Sequence, residues 1–358
     1  MTILGIETSC DETSASVVYA NLKNQSVKIL SNIVASSLTL HSKTGGIIPE
    51  IAAREQVKYI IPVIEQALTD SNLYFLSSKN YSLSSIINRP SIDAIAITVG
   101  PGLIGSLLVG VETAKTLAYA WNKPIIPVNH LIGHIYANWM MEDGKWKMEN
   151  ILFPAIALIV SGGHTDLVLM RKHGNIKWLG GTRDDAAGEA LDKIGRLLGL
   201  PYPGGPSIEK ASERGDASRF TFPRPMIDSD DFDFSFSGLK TAVLRKVKTM
   251  KQLNNETIAD LAASVQQAVI DVLVAKTLKA AKAYKVNSIL LSGGVAANQA
   301  LRDRFKLEIG NLKLEIPLSV PSKSLCTDNA AMIATAAFFN YKPTPWKKIT
   351  ANPELYFN

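Results

Sequence analysis

Two histidines of this sequence are spaced so that both could bind one metal ion. His130 and His134 lie four positions apart in the segment NHLIGH, and a helix would place both imidazoles on one face, one turn apart. Histidine pairs at this spacing are common metal ligands. The alternative is a helix face with two partly buried imidazoles that are hydrogen-bonded to neighbours. HLIGH lacks the glutamate of an HExxH zinc protease, which argues against a metallopeptidase.

A third metal ligand has to come from elsewhere in the chain. Asp328, in the segment CTDNAAMIA, stands where the composition predicts the start of a helix. It could complete the histidine pair, or it could be an ordinary helix N-cap, a position that aspartate favours. Sequence spacing alone leaves both interpretations open.

A polar turn follows the first predicted strand. Asp11 and Glu12 stand in this turn, and adjacent side chains in extended backbone point apart. We therefore expect one of them to face a cleft and the other the protein, rather than a matched pair. Cys10 has no evident base as a partner, so we interpret it as a small turn residue and not as a nucleophile.

The tripeptide Ser-Gly-Gly follows an apolar run twice, at Ser161 and at Ser292. Such turns present backbone N–H groups with no side chain in the way, and a helix that follows favours a phosphate at its N-terminus. Most Gly-Gly pairs are simple turns, so each motif alone is a weak indication.

An acidic helix face is predicted in DDAAGEALDKIGRLLG. Asp185, Glu189 and Asp192 have the spacing i, i+4, i+7, which places them along one side of a helix. They could accept hydrogen bonds from ribose hydroxyls, or form an ordinary solvated face.

The elements that must carry these residues follow a repeated pattern. Strands are predicted over 2–8, 14–20 and 27–35, and near residue 150 the pattern of apolar strand, polar turn, strand and third strand begins again. A duplicated α/β domain of this kind is typical of the actin, hexokinase and Hsp70 nucleotide-binding fold. The alternative is an ordinary α/β protein with two unrelated Gly-Gly turns.

Composition limits the remaining classes of protein. The 358 residues, 46% of them apolar, suffice for two domains, and the formal charge of +6 permits a nucleic-acid partner without requiring one. Two cysteines cannot build a disulfide framework, and no secretory signal is visible at the N-terminus, so we expect a cytoplasmic protein. The uncharged stretch Ala94 to Val111 contains Gly and Pro breakers, which predicts a strand, a turn and a helix start instead of a membrane span.

Taken together, the motifs resemble the TsaD family of tRNA N6-adenosine threonylcarbamoyltransferases, of the bacterial type. The resemblance is carried in family order by segments along nearly the whole chain: GIETSCDET, GGIIPEIAAR, VGPGLIGSLLVG, NHLIGH, LIVSGGHTDL, TRDDAAGEALDKIGRLLGLPYPGGP, FSFSGLKTA, LLSGGVAANQALR and CTDNAAMIA.

The resemblance implies an actin-like (ASKHA) α/β fold of two duplicated domains with a nucleotide cleft between them. We expect an N-terminal subdomain over residues 1–150, on which 336–358 pack back, and a C-terminal subdomain over 151–335. The implied reaction moves a threonylcarbamoyl group from threonylcarbamoyl-AMP to N6 of the adenosine 3′ of the anticodon, in tRNAs that read ANN codons, and forms t6A.

Residue roles also follow from the resemblance. His130, His134 and Asp328 correspond to the ligands of one divalent metal, Fe²⁺ or Zn²⁺. Asp11 and Glu12 correspond to the catalytic acidic pair. The residues expected to bind the adenylate or ATP-type nucleotide are Ile159, Val160, Ser161, Gly162, Gly163, Glu189, Asp192, Gly205 and Asn298.

The expected partners are tRNA, a paralogous actin-like subunit and a P-loop ATPase, with no membrane. The segment Tyr74 to Ser91 is an apparent insertion relative to the family and is predicted to lie on the surface. Three alternatives remain: a non-catalytic nucleotide-binding scaffold subunit, a metal-dependent glycopeptidase, and a sugar or acetate kinase of the same fold.

Overall fold

The computed structural model describes most of the chain. The described residues are 1–23, 25–73, 90–141, 151–250, 252–313 and 315–357. The predicted insertion at Tyr74 to Ser91 lies outside them, apart from its last two positions.

Strands and helices alternate along the chain. The strands are β1 (Thr2–Glu7), β2 (Glu12–Asn21), β3 (Ser26–Ser36), β4 (Ala94–Gly100), β5 (Ile125–Asn129), β6 (Met140–Met141), β7 (Ala155–Val160), β8 (Thr165–Lys172), β9 (Asn175–Gly181), β10 (Ser288–Ser292) and β11 (Leu318–Ser319). The helices are α1 (Leu38–Thr44), α2 (Pro49–Asp70), α3 (Ile104–Trp121), α4 (His130–Tyr136), α5 (Ala187–Leu197), α6 (Gly204–Ser212), α7 (Ser237–Lys248), α8 (Asn255–Tyr284), α9 (Gln299–Asn311), α10 (Lys323–Cys326) and α11 (Ala330–Phe339).

The chain forms two compact units. The first unit consists of Met1–Lys147 and Thr327–Asn358, and the second of Met148–Cys326. The chain returns to the first unit at Thr327, earlier than the boundary that we expected after residue 335. Helix α11 accounts for the difference, because it packs on strands β1 and β2 of the first unit.

Each unit is built on its own mixed sheet. The first has the strand order β5-β4-β1-β2-β3-β6, and the second β11-β10-β7-β8-β9. In both, the first strand is antiparallel to the second and parallel to a later strand on its other side. The α/β prediction is confirmed, and the two strand orders match from edge to edge apart from the short strand β6.

The central strands are apolar and buried, since helices α3 and α11 contact β4 and helix α8 contacts β7. All seven residues of β4 are buried, as are all six of β7. The uncharged stretch Ala94 to Val111 forms β4, a Gly-Pro-Gly turn and the start of α3, as predicted.

Helix α8 is long and apolar enough to cross a membrane by length and composition. However, 67% of its apolar window is buried. Its buried leucines and valines belong to the hydrophobic core of the second unit, together with strands β7 and β10. We therefore describe it as a core helix.

Candidate metal centre and nucleotide-binding loops

The two histidines lie on the short helix α4, directly after strand β5. The helix starts where it does because the Asn129 side chain accepts hydrogen bonds from the backbone N–H groups of Leu131 and Ile132. The two imidazoles lie on one face of the helix as predicted, and the centroids of the His130 and His134 rings are 4.6 Å apart. Both side chains are buried, His134 completely.

Asp328 meets both histidines. Its Oδ1 lies 3.1 Å from Nε2 of His134 and 3.5 Å from Nε2 of His130. The interpretation of Asp328 as a helix N-cap is wrong, because Asn329 occupies that position and accepts from the backbone N–H of Met332. The Asp328 carboxylate is therefore not needed to cap helix α11.

The three side chains have the spacing of a metal site. One candidate ligand atom from each lies within 4.8 Å of the others. In a tetrahedral zinc site, ligand atoms about 2.1 Å from the ion are about 3.4 Å from each other. Within the described residues, Nδ1 of the buried His134 makes no hydrogen bond, and Nε2 has only its 3.1 Å contact with Asp328. A buried imidazole of this kind fits a bound cation better than an apolar core.

One buried and one half-buried carboxylate, Glu7 and Asp328, lie next to His130. Its Nδ1 lies 3.2 Å from Oε2 of Glu7 and 3.1 Å from Oγ of Ser9. Burial lowers the pKa of His130, but the charges of Asp328 and Glu7 outweigh it and raise the pKa to about 9. Burial raises the pKa of Glu7, but His130 outweighs it and leaves the pKa below its ordinary value. The pocket thus favours a positive charge.

The acidic turn is held in place by helix α2. The Nε2 of Gln56 donates to the backbone carbonyls of Thr8, Cys10 and Glu12. These three bonds fix the turn whose side chains include Asp11, which is buried, and Glu12, which is half-buried.

The two acidic side chains interact with each other, contrary to expectation. Burial raises the pKa of Glu12 well above its ordinary value, with further contributions from the charges of Asp328 and Asp11 and from a hydrogen bond between the Glu12 and Asp11 carboxyls. The expectation that they point apart fails because residues 9–11 form a bend and not extended backbone. A carboxyl with a raised pKa suits proton transfer.

Cys10 has the properties of a non-reactive thiol. Burial raises its pKa well above the ordinary value, and the neighbouring Asp11, Asp328 and Glu12 charges raise it further. The thiolate is the reactive form, so this environment agrees with our interpretation that Cys10 is not a nucleophile.

The two Ser-Gly-Gly turns lie side by side in the second unit. Strands β7 and β10 are parallel neighbours, and Ser292 is in register with Ile159, so both turns leave the same edge of the sheet. Gly293 has φ +88°, and a Cβ there would lie 2.5 Å from the carbonyl oxygen of Val160. Ligands of α/β sheets commonly bind at the carboxyl ends of such strands.

The first Ser-Gly-Gly turn is partly closed on itself. The backbone N–H of Ser161 donates to the carbonyl of His164, and the carbonyl of Ser161 accepts from Gly188 at the start of α5. Gly162 and Gly163 are exposed, and a Cβ on either would meet no described atom within 4 Å. Ile159 and Val160 are buried strand residues, so the accessible part of this segment begins at Ser161.

The predicted acidic face is different from expectation in two ways. Helix α5 begins at Ala187, so Asp185 precedes it and binds Lys193 and Lys240 instead. Glu189 also pairs with Lys193, at 2.8 Å. The face is therefore largely neutralised by lysines.

Asp192, Gly205 and Asn298 make defined local contacts. Asp192 accepts hydrogen bonds from the backbone N–H groups of Gly204 and Gly205 at the start of α6. Asn298 caps helix α9 and donates to Gln266. The backbone N–H at the start of α9 donates to Glu209 of α6, so the ends of these helices lie together.

Several structural residues escaped the sequence analysis. Glu7, Thr98 and Gln56 organise the first unit's site, although none has the spacing of a recognisable site motif. Asp184 in the second unit accepts hydrogen bonds from Ser235 and Ser237 and from the first backbone N–H groups of α7. Only Glu7 carried a signal, as an acidic residue at the end of a mostly apolar strand.

The family assignment rests on the full sequence. Residues 28–335 match the family model of TsaD, the tRNA N6-adenosine threonylcarbamoyltransferase. The chain belongs to this family. The protein of that name from Thermomicrobium roseum is 49% identical, with 95% of this chain and 92% of the relative covered. Those from Staphylococcus haemolyticus (48%; 98% and 95% covered) and Moorella thermoacetica (45%; 99% and 97%) are similar over comparable lengths.

Solved structures share the fold at low sequence identity. The HypF of T. kodakarensis aligns with a TM-score of 0.58 at 13% identity, over 95% of this chain and 47% of HypF. A full-length HypF in the phosphate- and nucleotide-bound form aligns equally well, at 12% identity, over 96% of this chain and 47% of that one. The chain thus spans about half the length of these HypF chains, and the likeness concerns the fold.

Proposed function

We propose that this protein transfers the threonylcarbamoyl group from threonylcarbamoyl-AMP to N6 of the adenosine 3′ of the anticodon, in tRNAs that read ANN codons, and so forms t6A. The observation that carries the proposal is the identity of 45–49% to relatives of that name over nearly the full chain. The His-His-Asp group beside the acidic turn, with both histidines buried, supports it.

His130, His134 and Asp328 would hold one divalent metal, Fe²⁺ or Zn²⁺. Two imidazoles and one carboxylate suit either ion, and they leave at least one coordination position for substrate. When bound, such an ion acts as a Lewis acid that polarises a carbonyl or phosphate oxygen.

The acidic turn would handle the proton of the reaction. The N6 nitrogen forms a bond to the carbamoyl carbon, the bond from that carbon to the phosphate oxygen breaks, and AMP leaves with the electron pair. The nitrogen loses a proton, which Glu12 or Asp11 accepts. The two carboxyls lie together in the turn, and burial, with the charges of Asp328 and Asp11, raises the pKa of Glu12, which supports this role.

The loops of the second unit would bind the adenylate. The exposed amides at Gly162 and Gly163 are suited to phosphate oxygens, and Glu189, Asp192, Gly205 and Asn298 to the nucleoside. Ile159 and Val160, the last two residues of strand β7, would hold this loop in position. The nucleotide seen in a HypF of the same fold supports a nucleotide here. The cleft between the two domains stays a prediction.

Partners and compartment belong to the same proposal. We expect tRNA as substrate, a paralogous actin-like subunit and a P-loop ATPase as protein partners, and a cytoplasmic location. An apolar groove of about 580 Å³ between α2 and α3, with Val57 and Ile104 exposed, has the character of a protein-binding surface.

The scaffold, glycopeptidase and kinase alternatives have no specific observation in their favour. A non-catalytic scaffold has no use for a His-His-Asp group with two buried imidazoles. Leu131 stands where an HExxH motif has its glutamate, which argues against a peptidase of that type.

The test is mass spectrometry of nucleosides from tRNA incubated with the purified protein, threonylcarbamoyl-AMP and its expected partners. Glu12→Gln should lower the rate of t6A formation by about 10²–10⁴-fold, the range for loss of a general base. Glu112→Gln, an exposed glutamate on α3, is the matched control and should keep the wild-type rate. No modified adenosine with any active partner set would reject the transferase.

A further inference from the structure

The buried carboxylate of Glu7 has no part in the transfer steps proposed above. It ends strand β1 and is fully shielded from solvent. A buried carboxylate is costly unless it is paired or hydrogen-bonded on every side. The contacts that hold it therefore indicate its purpose.

Both oxygens of Glu7 already accept hydrogen bonds from rigid neighbours. Oε1 accepts from the backbone N–H of Ser9, and Oε2 accepts from the hydroxyl of Thr98 on strand β4. Thr98 is itself fully buried. The carboxylate thus cannot turn away without leaving one of these donors unpaired.

The remaining side of Oε2 faces His130, whose Nδ1 lies 3.2 Å away. Because an ionised carboxylate is only an acceptor, the imidazole Nδ1–H is the donor across this contact, and the Ser9 hydroxyl, 3.1 Å from the same nitrogen, can accept from that N–H as well. When the ring is neutral, as a metal ligand has to be, the lone pair is on Nε2, the nitrogen that faces Asp328 at 3.5 Å.

We infer that Glu7 is a positioning residue that fixes the tautomer and ring orientation of the metal ligand His130, with Thr98 and Ser9 fixing Glu7. This inference rests on the metal site of the proposed function. Metal-binding histidines commonly donate their second ring N–H to a carboxylate, and loss of that partner typically costs 10–100-fold in metal affinity.

The decisive variant is Glu7→Gln, which has nearly the same shape. A glutamine offers one acceptor and one donor group, whereas the site presents donors at both oxygens. Its amide NH₂ would therefore face another donor, either the Ser9 N–H or the Thr98 hydroxyl and His130 Nδ1–H. We expect the dissociation constant for Zn²⁺, measured by competition with a chromophoric chelator on metal-free protein, to rise about 10–100-fold. Thr98→Val removes one of the two donors that hold Glu7 and should raise the dissociation constant by a smaller factor.

Ser16→Ala is the matched structural control. Its hydroxyl donates to the Ser31 carbonyl within the same sheet, and it does not contact the site. It should lower thermal stability and leave Zn²⁺ affinity unchanged.

The tautomer of His130 can be measured in the wild type itself, so this test does not require that a variant folds. In the Zn²⁺-loaded protein labelled with ¹⁵N-histidine, His130 should show a protonated Nδ1 and a metal-bound Nε2. Thr98→Val should broaden or shift the Nδ1 proton signal. An unprotonated Nδ1, or unchanged Zn²⁺ affinity in both Glu7→Gln and Thr98→Val, would overturn the inference.

These outcomes separate the two proposals. If Glu7→Gln and Thr98→Val lower the Zn²⁺ affinity as expected but the wild type forms no t6A, the transferase is rejected and the role of Glu7 stands. If the wild type forms t6A but neither variant changes the Zn²⁺ affinity, the role of Glu7 is rejected and the transferase stands. A wild-type protein that binds no Zn²⁺ or Fe²⁺ would overturn both the metal site and this inference.

Discussion

A single methyl group on strand β1 should loosen the metal site. Gly5 packs against the first turn of helix α11, and a Cβ at this position would lie 2.2 Å from the carbonyl oxygen of Ala330 and 3.0 Å from Cβ of Ala334. The closest atom is backbone, so a rotamer change cannot relieve the clash. Gly5→Ala therefore has to push the helix away from the sheet.

The size of the displacement follows from these distances. Carbon and carbonyl oxygen approach to about 3.3 Å at closest, so the helix must retreat by about 1 Å. Overpacking of this kind costs about 1–3 kcal/mol, which for a unit of this size lowers the melting temperature on the order of 5 °C. Because α11 begins two residues after Asp328, the carboxylate moves away from His130 and His134, and metal sites tolerate only about 0.2 Å.

The assay compares Gly5→Ala with Gly310→Ala. Gly310 is exposed on helix α9, and a Cβ there would meet no described atom within 4 Å, so alanine should be neutral or stabilise the helix by about 0.5–1 kcal/mol. Thermal unfolding and Zn²⁺ titration of both variants give the two readouts. The reasoning is refuted if Gly5→Ala melts within about 1 °C of the wild type, a shift well below that expected for overpacking, and binds Zn²⁺ equally well.

Three further outcomes are expected. His134→Ala should abolish the melting-temperature increase that Zn²⁺ produces, which for a 1,000-fold excess over the dissociation constant corresponds to about 4 kcal/mol in the wild type, as calorimetry with and without metal will show. Asp184→Asn should cost about 1–2 kcal/mol of unfolding free energy at pH 7, because its carboxylate replaces a missing cap on α7. Partial burial raises the pKa of Asp184, but its hydrogen bonds outweigh this and hold the pKa below the ordinary value. The stability that the ionised Asp184 contributes is therefore fully present above the unfolded pKa of 3.8 and is lost as the pH falls through the folded pKa. In urea titrations at acid pH, wild type and Asp184→Asn should therefore become equally stable. Lys276→Met should lower the free energy of unfolding by about 1–3 kcal/mol, because the fully buried Lys276 donates to carbonyls of the loop 229–231. Lys279→Met loses more exposed hydrogen bonds to the same loop and should lower it less in the same urea denaturation experiment.

Local sequence patterns predicted the elements well. The predicted strands 2–8, 14–20 and 27–35 became β1, β2 and β3 within one or two residues, because hydrophobic runs and polar turns act over a few residues. The positions of His130 and His134 on one helix are confirmed for the same reason: their spacing fixes their relation once the helix forms.

Relations between distant segments were harder to predict. Asp185 precedes the helix on which we expected it, which begins at Ala187. Its carboxylate binds lysines from two different segments, a contact that sequence spacing does not predict. The expected separation of Asp11 and Glu12 was wrong because the turn is bent by contacts with α2, far along the chain.

The sequence by itself determined the family, the order of the strands along the chain and the histidine pair, because each depends on residue identity or on short-range spacing. Only the tertiary structure decided that Asp328 is the third member of the group and that Asn329 caps the helix. It did so because Gly5 and the small alanines of α11 allow that helix to lie directly on β1, which carries Asp328 to His130 and Glu7. No local pattern encodes that close approach, since it depends on packing between segments at opposite ends of the chain.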